Sequence, residues 1–250
     1  MQQHERERYS RQIKLPQIGE DGQEKFLSAR VLIIGMGGLG SPVAMYLAAA
    51  GVGHLVISDF DHVDTSNLQR QIIHDQDSLG ESKATSAARR INALNPNCRV
   101  DVFDYELDDE ELENEVRHAT VIVDCTDNFT SRFELNRLSL KFSTPLASAA
   151  AVRFEAQIST FDPRRADTPC YQCLYPDTSI EGATCAGEGV MAPLVGIVGS
   201  IQAMEALKVI LDMPGTLTGR LLLVDTTTME FTSLVLPKNS SCPACSENKY

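Results

Sequence analysis

The first residues here that could do chemistry are the glycines of "GMGGLG". Gly35, Gly37, Gly38 and Gly40 follow the apolar run "VLII" and lead into the segment "SPVAMYLAAA". Glycines at this spacing let a backbone turn tightly and approach a pyrophosphate, and the amides that open the next helix point at the anion. Asp59 stands at the end of the next apolar run, where an acid can hold ribose hydroxyls. The pattern identifies a nucleotide without choosing it. Read as structure alone, the same glycines would serve close packing of a strand on a helix.

Just downstream, "DFDHVDTSNLQRQ" places Asp61, Ser66, Asn67, Leu68, Gln69 and Arg70 in a polar cluster, and "GESK" puts Lys83 near the start of a helix. Hydride transfer to a nicotinamide has little use for cations beside the phosphates; a triphosphate has a clear one, because charge builds on a departing pyrophosphate. At ~4 Å and an effective dielectric of ~20, one such pair is worth roughly 4 kcal/mol before desolvation. Arg70 and Lys83 read equally well in isolation as solvated surface charges. A third segment, "VIVDCTDN", ends an apolar strand in Asp127 and Asn128, and ligands of open α/β sheets lie beyond such strand ends. Asp127 could hold a Mg²⁺ ion that bridges phosphate oxygens. Its other reading is the cap of a helix beginning near Thr130.

Cys170-x-x-Cys173 and Cys242-x-x-Cys245 form two pairs. Each can present two thiolates to one zinc ion, and four close a tetrahedral structural site. Neither pair sits in the strand-to-helix context of a redox motif. Cys185 lies apart, in "GATCAGEG", on a polar stretch from Tyr175 to Gly189 expected to be a mobile loop. Cys98 and Cys125 read as small buried residues. No Ser/His/Asp or Cys/His constellation is present to nominate.

The elements that must position these groups alternate. Strands are expected near 31–34, 55–58, 99–103 and 121–123, with helices over 39–50, 82–94, 109–116 and 130–141. That rhythm implies right-handed crossovers and a parallel, doubly wound Rossmann-like sheet, an α/β fold. After about residue 145 the pattern changes: "PLASAAAVRFEAQISTF" and "RLLLVDTTTMEFTSLVL" read as longer strands paired antiparallel, with a helix after Pro193 between them. One continuous domain over 1–250 is expected, with a helical arm (1–28), a nucleotide-binding half (29–145) and a half that handles a partner and carries the zinc site (146–250). The chain has 22 basic and 34 acidic residues, a net charge of −12, which argues against a general nucleic-acid binder. The apolar stretch 194–211 carries Glu205 and Lys208 and reads as a buried helix. With a polar N-terminus, a cytoplasmic protein is expected.

Taken together, "RYSRQI", "GMGGLGSP", "SNLQRQ", "GESK", "DCTDN", "CYQCLYPD", "TCAGEGVMAPLVGIVGSIQAMEALK" and "CPAC" resemble the MoeB/ThiF/HesA family of bacterial adenylyltransferases, relatives of ubiquitin-activating enzymes. The resemblance spans essentially the whole chain, and the helix segment leans towards the molybdopterin branch. It implies ATP rather than NAD. It also implies a substrate, the C-terminal Gly-Gly carboxylate of a small ubiquitin-like sulfur carrier, which attacks the α-phosphate of Mg-ATP to give an acyl adenylate and pyrophosphate. A separate sulfurtransferase or cysteine desulfurase then supplies sulfur, since no rhodanese-like segment follows Cys245. By residue match, Gly38, Asp59 and Asn67 would hold the nucleotide, Arg70 and Lys83 the phosphate charge, and Asp127 the magnesium. Arg11 would reach the partner's ATP site in a homodimer, although in isolation it reads as a surface charge on an N-terminal helix. Cys185 matches a family cysteine; its alternative is a loop thiol with no covalent task. The thiamin carrier is the nearest rival substrate. An NAD-dependent oxidoreductase and a non-catalytic nucleotide-binding scaffold are the readings from other classes.

Overall fold

The computed structural model describes residues 1–176 and 185–246, apart from the side chains of Cys185 and Ala186. Three short helices open the chain: α1 (Gln3–Arg8), α2 (Ser10–Ile13) and α3 (Gly19–Ser28). Strands and helices then alternate as β1 (Arg30–Ile34), α4 (Gly40–Ala50), β2 (His54–Ser58), α5 (Lys83–Leu94), β3 (Arg99–Phe103), α6 (Asp109–His118), β4 (Val121–Asp124), α7 (Phe129–Phe142) and β5 (Leu146–Val152). The remainder is β6 (Glu155–Phe161), α8 (Tyr171–Leu174), α9 (Cys185–Glu188), α10 (Ala192–Ile210), β7 (Arg220–Asp225) and β8 (Glu230–Val235).

The strands form one sheet in the order β3-β2-β1-β4-β5-β6-β7-β8. Pairing is parallel from β3 to β5 and antiparallel from β5 to β8. The expected parallel sheet with an antiparallel continuation is therefore what forms. Strand β5 joins the two parts: it is antiparallel to β6, as expected, and parallel to β4, because the α7 crossover returns the chain in the original direction. Chain order reverses at β1, which lies between β2 and β4. The crevice beyond the carboxyl ends of β1 and β4 is thus the switch point at which such sheets bind ligands.

Alternation along each central strand supplies both faces of the core. Val31, Ile33, Leu55 and Ile57 face α4, α5 and α10, whereas Leu32, Val56 and Ile122 face the layer that includes α6, α7 and α8. Helix α10 is long and apolar enough to cross a membrane, the one such helix among the described residues. It packs instead against α4 and β4–β6, with Leu194, Val198, Gln202 and Glu205 buried. A side chain at Gly199 would collide with Pro42 and with the Leu39 carbonyl at 2.6 Å, so glycine is what lets α10 lie on the start of α4.

The N-terminal helices dock on the opposite end of α4. Tyr9 is buried, and its hydroxyl accepts from Asn95 Nδ2 at 2.9 Å. Gln12 and Gln23 both donate to the Ala50 carbonyl at 2.9 Å, which satisfies acceptors that a helix C-terminus leaves open.

Candidate nucleotide site and cysteine cluster

The loop after β1 is shaped by contacts that exclude side chains. Gly35 has φ +95°, and a Cβ there would meet the Cys125 carbonyl at 2.7 Å, so the β1 and β4 loops touch. A Cβ on Gly40 would meet the Gly35 carbonyl at 2.0 Å. No side chain caps α4; the Ser41 amide turns back to the Gly37 carbonyl at 3.0 Å, and Pro42 in the first turn has no amide to satisfy. Gly38 lies under Val195 and Gly37 beside the Gln71 carboxamide.

Asp59 follows β2 and reaches back to this loop. Its carboxylate accepts from the Met36 amide at 2.7 Å and from the Asp61 amide at 2.9 Å. Burial pushes its pKa up, against the opposing pull of those amides and of the Lys83 charge. Met36 is held on its other side by His74, whose Nε2 lies 3.0 Å from the Met36 carbonyl and whose Nδ1 lies 3.0 Å from Ser86 Oγ. A carbonyl only accepts, so Nε2 carries the proton and Ser86 donates to Nδ1. Burial lowers the His74 pKa and keeps the ring neutral.

Asp64 caps the short turn Thr65–Asn67. Its carboxylate accepts from the Ser66 amide at 2.8 Å, and Asn67 Oδ1 accepts from the Asp64 amide at 3.1 Å. Arg70 Nη1 then donates to the Ser66 carbonyl at 3.0 Å. This turn gathers Ser66, Asn67 and Arg70 on one small surface, with Gln69 exposed and Leu68 half-buried. Lys83 opens α5 behind the Ser82 cap. It is only 7% exposed, and its Nζ lies 2.8 Å from Asp61 Oδ2. A solvated surface lysine is therefore not what the sequence encodes here. Asp61 keeps 58% of its side chain in solvent, so a ligand can compete for the ammonium without burying an unpaired carboxylate.

The loop after β4 is pinned by buried groups. Asp124 is fully buried; Oδ1 accepts from the Thr126 amide at 3.0 Å and from Thr126 Oγ1 at 2.7 Å, and Oδ2 accepts from Ser148 Oγ at 2.7 Å. Arg132 Nη2 donates to the Thr126 carbonyl at 2.6 Å and to the Ala149 carbonyl at 3.1 Å. Gln202, from the other face of the sheet, donates to the Asp124 and Ala147 carbonyls at 2.6 and 3.0 Å. Asp127 is exposed at the tip of this arrangement. Its alternative as a helix cap is not realised: Asn128 caps α7, its Oδ1 accepting from the Ser131 amide at 2.8 Å.

Arg11 is exposed on α2 and is not brought to this loop. Tyr9 and Gln12 anchor its segment at the carboxyl end of α4, a helix length of roughly 16 Å from the glycine loop. The thiol of Cys185, and most of the segment expected to be a mobile loop, lie outside the described residues; Cys185 opens α9.

The two C-x-x-C pairs converge although some seventy positions separate them. The four Sγ atoms lie within 4.8 Å of one another, at 4.0 Å for Cys170–Cys173, 3.7 Å for Cys170–Cys242 and 3.4 Å for Cys173–Cys245. Four thiolates around one ion at ~2.3 Å would be ~3.8 Å apart, so the cluster matches a tetrahedral site. The Asn239 amide donates to Cys173 Sγ and Asn136 Nδ2 to Cys170 Sγ, as outer-shell donors to thiolates do.

Sequence reasoning missed His74, Gln71, Asp124, Arg132 and Gln202. Asp124 bore a readable signal, being a charge at the end of an otherwise apolar strand; Arg132 did not, since α7 carries several other charges. The others depend on contacts between distant segments.

The profile of the ThiF family matches residues 9–244. The chain is 42% identical over 238 residues to the sulfur carrier protein ThiS adenylyltransferase of Escherichia coli, covering 95% of this chain and 94% of that protein. It is 40% identical over 240 residues to the molybdopterin-synthase adenylyltransferase of the same organism, covering 96% of each. A crystal structure of E. coli MccB superposes with a TM-score of 0.82 at 21% identity, covering 97% of this chain and 75% of that one, a likeness of fold. Glycine loop, cation turn, β4 loop and three of the four paired cysteines fall within the matched span, with Cys245 one position beyond it, and the chain belongs to the ThiF family.

Proposed function

We propose that this protein transfers the adenylyl group of ATP to the C-terminal carboxylate of a small ubiquitin-like sulfur carrier ending in Gly-Gly. The carboxylate oxygen bonds to the α-phosphorus, the bond from that phosphorus to the bridging oxygen breaks, and pyrophosphate leaves with the electron pair. The product is an acyl adenylate, ready for conversion to a thiocarboxylate by a separate sulfur source. The observation that carries this reading is a chain of contacts at the switch point, from the glycine loop through Asp59 and Asp61 to the buried Lys83.

The carboxylate arrives ionised, so the site needs cations and orientation rather than a base. Gly35, Gly37, Gly38, Gly40 and Asp59 hold the nucleotide with Asn67, while Arg70 and Lys83 take up phosphate charge. Asp127, exposed on the loop after β4 with Asn128 beside it, suits a magnesium ligand; bound Mg²⁺ would screen charge on the triphosphate. Arg11, held far from its own loop, completes the site of a partner in a homodimer. The four cysteines hold a structural Zn²⁺. One adenylating domain, acting in the cytoplasm without nucleic acid or membrane, is the organisation this implies.

The molybdopterin carrier is the first substrate to test, from the α10 segment. The thiamin carrier is the second, favoured by the 42% identity to a ThiS adenylyltransferase. Relatives named adenylyltransferases give the nicotinamide reading no support. Incubation of each carrier with the protein, ATP and Mg²⁺, followed by intact-mass analysis, tests the proposal. A carrier that gains one adenylyl group at its C-terminus supports it; carriers of unchanged mass, with ATP intact, refute it.

A further inference from the structure

Arg132 is the charged side chain that the proposed chemistry leaves unused. It is nearly fully buried on the first turns of α7, yet its guanidinium spans two backbone segments, the loop after β4 and strand β5. The Thr126 carbonyl that it binds belongs to the peptide leading directly into Asp127. The same loop is held from its other side, where the Asp124 carboxylate takes both the Thr126 amide and the Thr126 hydroxyl. Asp124 also helps balance the buried charge: burial opposes ionisation of Arg132, and the Asp124 carboxylate, together with Tyr171 and Tyr175, more than offsets it. Between these two groups Thr126 has every polar atom engaged, whereas the Asp127 side chain projects into solvent from a fixed backbone.

A buried arginine is an expensive way to fill space, and an apolar residue would pack α7 on the sheet as well. Its Nη2 is spent on holding main chain, the Thr126 and Ala149 carbonyls. We infer that Arg132 is a positioning residue: by fixing the Thr126–Asp127 peptide it aims the Asp127 carboxylate at the metal–triphosphate, an inference that rests on the adenylation proposed above. A residue of this kind acts on metal affinity through its ligand, as outer-shell partners elsewhere do.

The test uses Arg132→Lys, which keeps the charge but replaces the planar guanidinium, whose Nη2 meets both carbonyls, with a shorter side chain, alone and combined with Asp127→Asn. Carrier-dependent ATP–pyrophosphate exchange is measured across a Mg²⁺ titration. Arg132→Lys is expected to raise the Mg²⁺ concentration at half-maximal exchange by about tenfold, and to leave the ATP KM at saturating Mg²⁺ near its original value. In the Asp127→Asn background, the same change is expected to have no further effect on the midpoint. Hydrogen exchange of the ligand-free protein supplies a readout independent of turnover: amides of residues 126–128 exchange faster in the lysine variant, while those of β1 do not. An unchanged Mg²⁺ midpoint, or additive effects in the double variant, overturns the inference. Should the lysine variant fail to fold, the neutral pair Asp124→Asn with Arg132→Gln is read by the same criteria. Absence of exchange in the unmodified protein would instead count against the adenylation reading, and the hydrogen-exchange comparison would still decide the role of Arg132.

Discussion

The crevice beyond β1 and β4 and the cluster of four cysteines are built on opposite plans. In the crevice, buried groups hold backbone, and most side chains offered to a ligand remain partly open: Asp127 is exposed, Arg70 is half-buried, and the buried Lys83 is paired with the exposed Asp61. In the cluster, the reactive atoms themselves are turned inward, and each thiol's neighbours are the other thiols. The first plan suits groups that must meet and release a substrate. The second suits groups that bind once and stay. Substitutions should therefore cost activity in the crevice and folding in the cluster.

The largest effect expected is on Lys83. Lys83→Ala should slow adenylation by about 10²–10³-fold, as loss of one oriented charge-stabilising donor does, while leaving metal content and unfolding temperature close to those of the parent protein. A large loss of stability instead would make Lys83 a structural residue and blur the comparison. Cys242→Ser tests the other half. Forfeiting part of a zinc-binding free energy of ~10–16 kcal/mol should lower the unfolding temperature by about 10 °C at ~2–4 °C per kcal/mol. Metal analysis should show loss of the ion, and the remaining folded protein should bind ATP normally.

Gly35→Ala sits between the two plans, since this glycine is both strained and at the site. With φ +95° and the Cys125 carbonyl in the way, the substitution should cost about 1–3 kcal/mol in unfolding experiments. It should also weaken ATP binding, because the β1 and β4 loops separate. The smallest effect concerns His74. Its folded pKa is lowered by burial, so below the unfolded value of 6.5 the unfolded chain binds more protons than the folded one. Stability is then highest above that pH and is lost as pH falls through and below it. His74→Gln should flatten this part of the pH–stability curve, measurable by chemical denaturation at several pH values.

Much of this was readable in the residues, and the reason is local. A φ-positive turn needs Gly35, a continuous apolar run makes β1, a strand covered on both faces, and a polar break before "VIVD" starts β4; each is decided within a few residues. The convergence of the cysteine pairs was also legible, because two C-x-x-C motifs leave few other ways to satisfy a metal. What could not be read is what depends on tertiary approach. Gln202 bonds the Asp124 carbonyl across 78 positions, and no feature of "SIQAME" shows that. Lys83 read equally well as a surface charge, since its burial is set by the segment 59–63 folding over α5 rather than by its own neighbours in sequence. Asp127 and Asn128 illustrate the finest limit: both are cap formers, and only the geometry gives the cap to Asn128 and leaves Asp127 for a ligand.

The central claim is that the crevice activates a carboxylate with ATP, and ATP–pyrophosphate exchange tests it most directly. The purified protein with Mg²⁺ would be given each candidate sulfur carrier, intact and with its Gly-Gly tail removed. The account predicts exchange with an intact carrier and none with its truncated form, and the better carrier names the pathway served. ATP binding without exchange for any intact carrier, or exchange indifferent to the tail, would contradict it.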